Sequence, residues 1–264
     1  MIIYDGPSHL PGDGETPIVA ILTGLNKRSS NPKTGDMLQT WILVRDSHPS
    51  EALKSGDDYA ICGDCIHRPN GGKRTCYVNI MGPASVWRSY QKGNYESVDP
   101  DEAGEIVSGR KVRLGAYGDP AAVPASVWSS LVANVKTFTG YTHQWRDCPD
   151  ISDLCMASCE THDDVLDAQA LGYRTFRVMP KGEDPTRQEL VCPSSAEMGR
   201  RVTCADCGLC AGAMRHKPKV IPGIAITVHG NAANSYAVGN PNREEQLVLT
   251  YPIYAWRHAR LTMM

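Results

Sequence analysis

The chain lacks any apolar run approaching the roughly 18 residues a membrane span requires. Its opening, MIIYDGPSHLPGDGE, lacks a basic segment followed by an apolar one. Both absences lead us to expect a cytoplasmic protein with no targeting signal and no membrane partner. An excess of charge of one sign is also missing: the formal net charge is -2 over 264 residues, unlike the strongly basic domains that track nucleic acid. No repeat period, low-complexity tract, coiled-coil heptad or β-sandwich pattern occurs. Glycine pairs such as GDGE lack the preceding strand and following helix of a phosphate loop. With 41% hydrophobic and 21% charged residues, the composition is that of an ordinary globular protein. We expect one domain over 1–264 that includes a cysteine-rich segment at 190–212.

Cysteine is plentiful, with ten in the chain. In a reducing compartment disulfides do not persist, so close cysteine spacings point to metal ligation or redox chemistry. The stretch VTCADCGLCAG puts Cys204, Cys207 and Cys210 at three-residue intervals, and Cys192 precedes them to give C-x11-C-x2-C-x2-C. Four thiolates suffice for a tetrahedral zinc or a four-iron cubane. The C-x2-C-x2-C part resembles the first three positions of a bacterial ferredoxin run and favours a 4Fe-4S cluster. Zinc is the alternative, although two separate C-x2-C knuckles are its usual pattern; uncoordinated buried thiols are the third reading. Ser194 and Glu197 fit a capping box, predicting a short helix after Cys192, with Gly199 permitting the return. A second group, Cys62, Cys65 and Cys76, encloses His67. With the histidine it makes a zinc set, and without it a cofactor-binding set that leaves one position of a cluster open. Its spacing is not the C-x3-C-x2-C of radical S-adenosylmethionine enzymes. Cys148, Cys155 and Cys159 are irregularly spaced and read as small buried hydrophobes.

Punctuation divides the rest. Residues 1–16 and 26–36 are rich in Pro, Gly, Ser and Asn and read as loops. PIVAILTG, MLQTWILVR and CYVNIM read as strands. GPASVWRSYQKG reads as a helix with Val86, Trp87 and Tyr90 on one face, and PAAVPASVWSSLVANV as another with Val127, Trp128, Leu131, Val132 and Val135 on a stripe. THDDVLDAQALG predicts a helix capped by Asp163 or Asp164 and ended by Gly172. Strands near 112–117, 136–141, 154–158, 173–178 and 224–229 alternate with helices, which implies parallel pairing with crossovers. The expected fold class is α/β, a single (β/α) barrel-like domain, irregular or incomplete relative to a TIM-type barrel.

Chemistry-bearing residues collect at the predicted carboxyl ends of these strands, where such a barrel carries its site. Asp119 is a candidate acid or base, against a turn-and-cap reading. Tyr141 and His143, beside Gln144 and Trp145, suit a planar substrate, against a structural histidine. Arg177 lies within an apolar strand and needs an anion or a buried carboxylate, Asp119 or Glu160. Tyr117, Ser158, Glu160, His229 and Asn231 complete the ring.

The ordered series CGDCIHR, CYVN, VRLGAYGDPAAVP, GYTHQW, MASCET, GYRTFRV, CPSSAE and CADCGLC resembles the phage- and plasmid-borne gene product 88 family over about residues 25–212. The resemblance implies a barrel-like fold similar to that of radical enzymes, cysteine-bound metal and a mobile-element origin, and it brings no reaction. Two function classes follow: a cluster-dependent enzyme binding a small molecule at the strand ends, and a DNA-binding replication or transposition protein with a structural metal. The second draws on residues 173–220, which hold nine Lys and Arg against five Asp and Glu. A virion or assembly component is a further alternative.

Overall fold

The computed structural model describes residues 1–29, 31–69, 74–199, 202–215, 221–229 and 233. It opens with an antiparallel meander of β1 (Ile2–Pro7), β2 (Pro17–Thr23) and β3 (Leu38–Val44). The expectation of a loop over 1–16 is corrected at β1: Ile3 is buried in the core while Asp5 on the same strand pairs with Arg45 at 3.1 Å. Residues Ile18 to Leu22 are buried throughout, so β2 is covered on both faces.

Helices α1 (Pro49–Ser55), α2 (Tyr59–Cys62), α3 (Met81–Gln91) and α4 (Pro100–Ile106) precede β4 (Lys111–Tyr117). Next come α5 (Ala125–Val132), β5 (Thr137–Thr139), β6 (Tyr141–Thr142), β7 (Met156–Cys159), α6 (His162–Ala170) and β8 (Thr175–Met179). The described elements end with β9 (Glu189–Val191), α7 (Cys204–Cys207) and β10 (Gly223–Thr227). Strands β1 to β5 form one sheet in sequence order, and the second sheet runs β6, β7, β8, β10, β9. Every pairing from β3 onward is parallel. The strands expected to be parallel neighbours pair in parallel, except that the one expected at 136–141 is broken at Gly140 into β5 and β6, which belong to different sheets.

Gly140 links the sheets. Its N–H donates to the Cys210 carbonyl at 3.1 Å and its carbonyl accepts from Met156 N at 2.9 Å, so the chain passes from β5 into β6 within one residue. A side chain there would stand 2.8 Å from Cys155 Sγ, too close for any Cβ. No pairing among the described residues joins the edge strands β1 and β9. The expected barrel is therefore seen as two five-stranded sheets in an α/β fold, not as a closed ring.

The larger core cluster draws on strands of both sheets. Val112 and Leu114 of β4, Phe138 of β5 and Ala157 of β7 pack with the predicted stripe Val127, Trp128, Leu131 and Val132 of α5. Cys148, Cys155 and Cys159 join them as buried packing groups, as their irregular spacing suggested. Three local expectations are corrected. Helix α6 is capped by Thr161, with Asp164 closing the capping box from inside. The Ser194–Glu197 box does not form, and a 3-10 turn at Ala196–Met198 follows Ser195 instead; Gly199 ends it in the left-handed region. CYVNIM is not a strand: Arg74 donates to the carbonyls of Cys76 (3.3 Å) and Val78 (2.9 Å), groups a strand would present to a neighbour. No described helix is long and apolar enough to cross a membrane.

Candidate active site and metal centre

Successive strand residues face opposite sides of a sheet. Here one parity faces the core and the other faces a cavity of about 400 Å³, lined by Arg113 and Tyr117 of β4, Phe176 and Val178 of β8, and Ile224 and Ile226 of β10. Seven cysteines line it too: Cys62, Cys65 and Cys76 from the first group and Cys192, Cys204, Cys207 and Cys210 from the second. Both sequence groups thus meet in one space, which their separation along the chain does not reveal.

The first group sits on a loop stapled to the strand ends. Asp58, fully buried, accepts from Arg68 Nε at 2.8 Å and Nη2 at 2.7 Å. Arg68 also donates to the Gly63 carbonyl at 3.0 Å. Gln144, just past β6, donates from Nε2 to the Cys62 carbonyl at 3.0 Å. Gly63 has φ +51° and no room for a side chain, since a Cβ would lie 2.3 Å from Gln144 Oε1. Burial, followed by the neighbouring Cys65 and Cys76, pushes the Cys62 thiol well up; burial likewise raises Cys76. Beyond the loop, His67 Nε2 and His143 Nε2 each stand 3.3 Å from Glu160 Oε1, with the two rings edge to face at 5.3 Å.

The second group is held by different means. Thr203 caps α7, Cys204 N donates to the Lys33 carbonyl at 2.9 Å, and Gly208 ends the turn at φ +66°. Arg174, buried in β8's approach, donates from Nη1 to the carbonyls of Leu209 and Ala211, both at 2.6 Å, and so ties the Cys210 loop to the sheet. Its Nε and Nη2 are buried without a hydrogen-bond partner. Burial pulls its pKa below the usual guanidinium value despite Cys210 and Tyr141 nearby. The Tyr141 hydroxyl hydrogen-bonds Cys210, whose thiol burial pushes up to about 12. Among the described residues no three cysteine sulfurs lie mutually within 4.8 Å; the set that does converge so closely is His67, His143 and Glu160.

Of the expected catalytic residues, Asp119, Tyr141 and His143 line the cavity together. Asp119 is occupied as the turn reading has it, accepting from Ala121 N (3.0 Å) and His143 N (2.7 Å). Arg177 is not with them. Phe176 and Val178 take the cavity parity, so Arg177 projects from the opposite face. There it makes a two-pronged contact with Glu189 (2.7 and 2.8 Å) and another with Glu183, in place of the expected Asp119 or Glu160. Ser158 and His229 line the cavity, while Asn231 lies outside the described residues. With Arg174 and Arg177 both buried, the basic stretch 173–220 carries fewer surface cations than its composition suggests. The sequence reading named His67 and Glu160 separately and missed them as a set with His143; it also missed Arg113 and Arg174. The one signal for Arg174 is its place before a strand, next to the Arg177 already singled out.

The Arg177–Glu189 pair yields a pH prediction. Burial alone would raise the Glu189 carboxyl, but hydrogen bonds from Arg177 and Thr186 outweigh it and hold it below its ordinary range. A lowered folded pKa gives stability that is present above the unfolded value of about 4.3 and lost as pH falls through the folded one. Glu189→Gln is expected to melt below the parent at neutral pH, with the gap narrowing below about pH 4. Thermal melts across pH check this; a gap that stays constant into acid contradicts it.

The comparisons with known proteins add no relative: no protein-family model, no curated protein and no solved structure matches the chain. The resemblance to the gene product 88 family rests on the motifs quoted above.

Proposed function

We propose that this chain is an iron–sulfur protein of enzyme type, with an α/β fold whose cavity receives a small molecule beside cysteine-held metal. The observation that carries the reading is the meeting of both cysteine groups in one cavity. Cys192, Cys204, Cys207 and Cys210 would hold one cluster, and Cys62, Cys65 and Cys76 a second group with a position left for a ligand. A bound cluster supplies electron transfer or a Lewis-acidic iron.

Three features of the chain bear on the choice between a cluster, zinc and empty thiols. An all-thiolate donor set suits zinc and iron–sulfur centres alike, and the C-x2-C-x2-C spacing of Cys204, Cys207 and Cys210 favours the cluster. A tetrahedral zinc with sulfur at ~2.3 Å brings its ligands to about 3.8 Å from one another, and the sulfurs are more widely spread than that. A cubane places its ligand sulfurs on a larger tetrahedron, so a spread beyond 4.8 Å does not count against it. Third, the two orphaned nitrogens of Arg174 beside the Cys210 loop call for negative charge, which ligating thiolates provide and neutral thiols do not. Around the cavity, Tyr141 orients Cys210, and Asp119 fixes the backbone of His143. The resemblance adds a phage or plasmid setting in a host cytoplasm.

Anaerobic purification followed by metal and sulfide analysis and an absorption spectrum tests the reading. Iron and acid-labile sulfide in comparable amounts, with a broad visible absorption that bleaches on reduction, are expected. Near-stoichiometric zinc without sulfide overturns it.

A further inference from the structure

We infer that His67, His143 and Glu160 form a separate mononuclear site for a divalent first-row transition metal, built into the wall of the same cavity. The three come from different segments: His67 from the loop after α2, His143 from just beyond β6, and Glu160 from just beyond β7. Their ligand atoms all lie within 4.8 Å of one another.

The spacing is that of ligands around one ion. Imidazole nitrogen at ~2.0–2.1 Å and carboxylate oxygen at ~2.0–2.2 Å from a tetrahedral metal stand about 3.3–3.5 Å apart. Both nitrogen-to-oxygen edges measure 3.3 Å. The imidazole planes are inclined at 78°, and both Nε2 atoms lie beside the same oxygen, Glu160 Oε1. The other ring nitrogen of His67, Nδ1, is 2.9 Å from Thr75 Oγ1, the kind of outer partner that fixes the ring of a ligating histidine. The other two ligands are pinned through their backbones: His143 N donates to Asp119 Oδ2 at 2.7 Å, and Glu160 N to Asp164 Oδ2 at 3.1 Å. Asp119, expected to act as an acid or base, thereby becomes a positioning residue for this site.

Two histidines and one carboxylate leave coordination positions open, as catalytic zinc and non-haem Fe(II) sites do. Glu160 is the most enclosed ligand, with 9% of its side chain exposed, and His143 the most open at 28%. Both histidines line the cavity, so the open positions face the space where a small molecule would bind. The donors are nitrogen and oxygen only, although His143 also hydrogen-bonds Cys65 of the first cysteine group.

Mn(II) is the probe, because it is the weakest binder of the divalent series and favours nitrogen and oxygen over thiolate, leaving cysteine-held iron in place. Titration of the anaerobically purified protein, with free Mn(II) followed by electron paramagnetic resonance, is expected to show one bound equivalent. Glu160→Gln should weaken it by about tenfold or more, and Thr75→Val, which removes no ligand, by roughly tenfold. Iron and sulfide contents should be unchanged in both. If Glu160→Gln fails to fold, Thr75→Val carries the test. Absence of Mn(II) binding in the parent, or binding equal in parent and variants, overturns the site and leaves a hydrogen-bonded His–Glu–His network. Mn(II) binding without iron or sulfide would instead sink the cluster reading and leave this one standing.

Discussion

Cys207→Ser is expected to lower both the metal content and the melting temperature of the protein. Cys207 ends α7, four residues of helix capped by Thr203 and closed by Gly208. Without a ligand, the four thiols of this group contribute little packing: only Cys192 and Cys210 are buried with the small cluster of Met156, Ile224 and Ile226. The proposed ligation would couple them to folding, and losing one ligand should then forfeit about 3 kcal/mol or more of that coupling. For a chain of this size such a loss corresponds to a fall of roughly 6–12 °C in Tm. Cys155→Ala is the matched control. Cys155 is fully buried in the main core and does not line the cavity, so that variant should melt lower through lost packing yet keep its full metal content. Metal analysis beside thermal melts separates the two. A Cys207→Ser protein with unchanged metal and melting shows that these cysteines are not a site.

Much of the parallel half of the fold was legible in the sequence, because strand and helix alternate there with clear periodicities. Strands β4, β7, β8 and β10 lie where their apolar runs end in polar residues, and α5 buries the stripe its spacing defines. What escaped was decided by long-range partners. Strand β1 pairs with β2 although its composition is that of a loop, and CYVNIM loses its carbonyls to Arg74. In the site, the parity of β8 set the fate of Arg177. The sequence showed an arginine among apolar residues, but not which face of the sheet bordered the cavity. Likewise His67 and Glu160 are 93 positions apart; nothing local marks them as partners, and only the parallel order of β6 and β7 brings His143 and Glu160 side by side.

Asp58→Asn is expected to destabilise the protein by about 3–5 kcal/mol, the cost of leaving a buried charge without its partner. Asp58 is fully buried, and both of its carboxylate oxygens are occupied by Arg68, whose own side chain is 9% exposed. Arg68 in turn donates to the carbonyls of Gly56 and Gly63 at 2.9 and 3.0 Å, and lies over the Tyr59 ring at 5.2 Å. The pair therefore fixes both ends of the turn that carries Cys62. In thermal melts the expected loss corresponds to a fall of roughly 6–20 °C. Removing both charges together, as Asp58→Leu with Arg68→Met, should cost less than the sum of the single changes, because no unpaired ion is then left inside. The single change is also expected to displace the Cys62–Cys65 loop from the strand ends, so metal at the proposed Cys62, Cys65 and Cys76 site should fall while that at the proposed Cys192, Cys204, Cys207 and Cys210 site persists. An Asp58→Asn protein that melts within about 1 °C of the parent contradicts the assigned role of this buried pair.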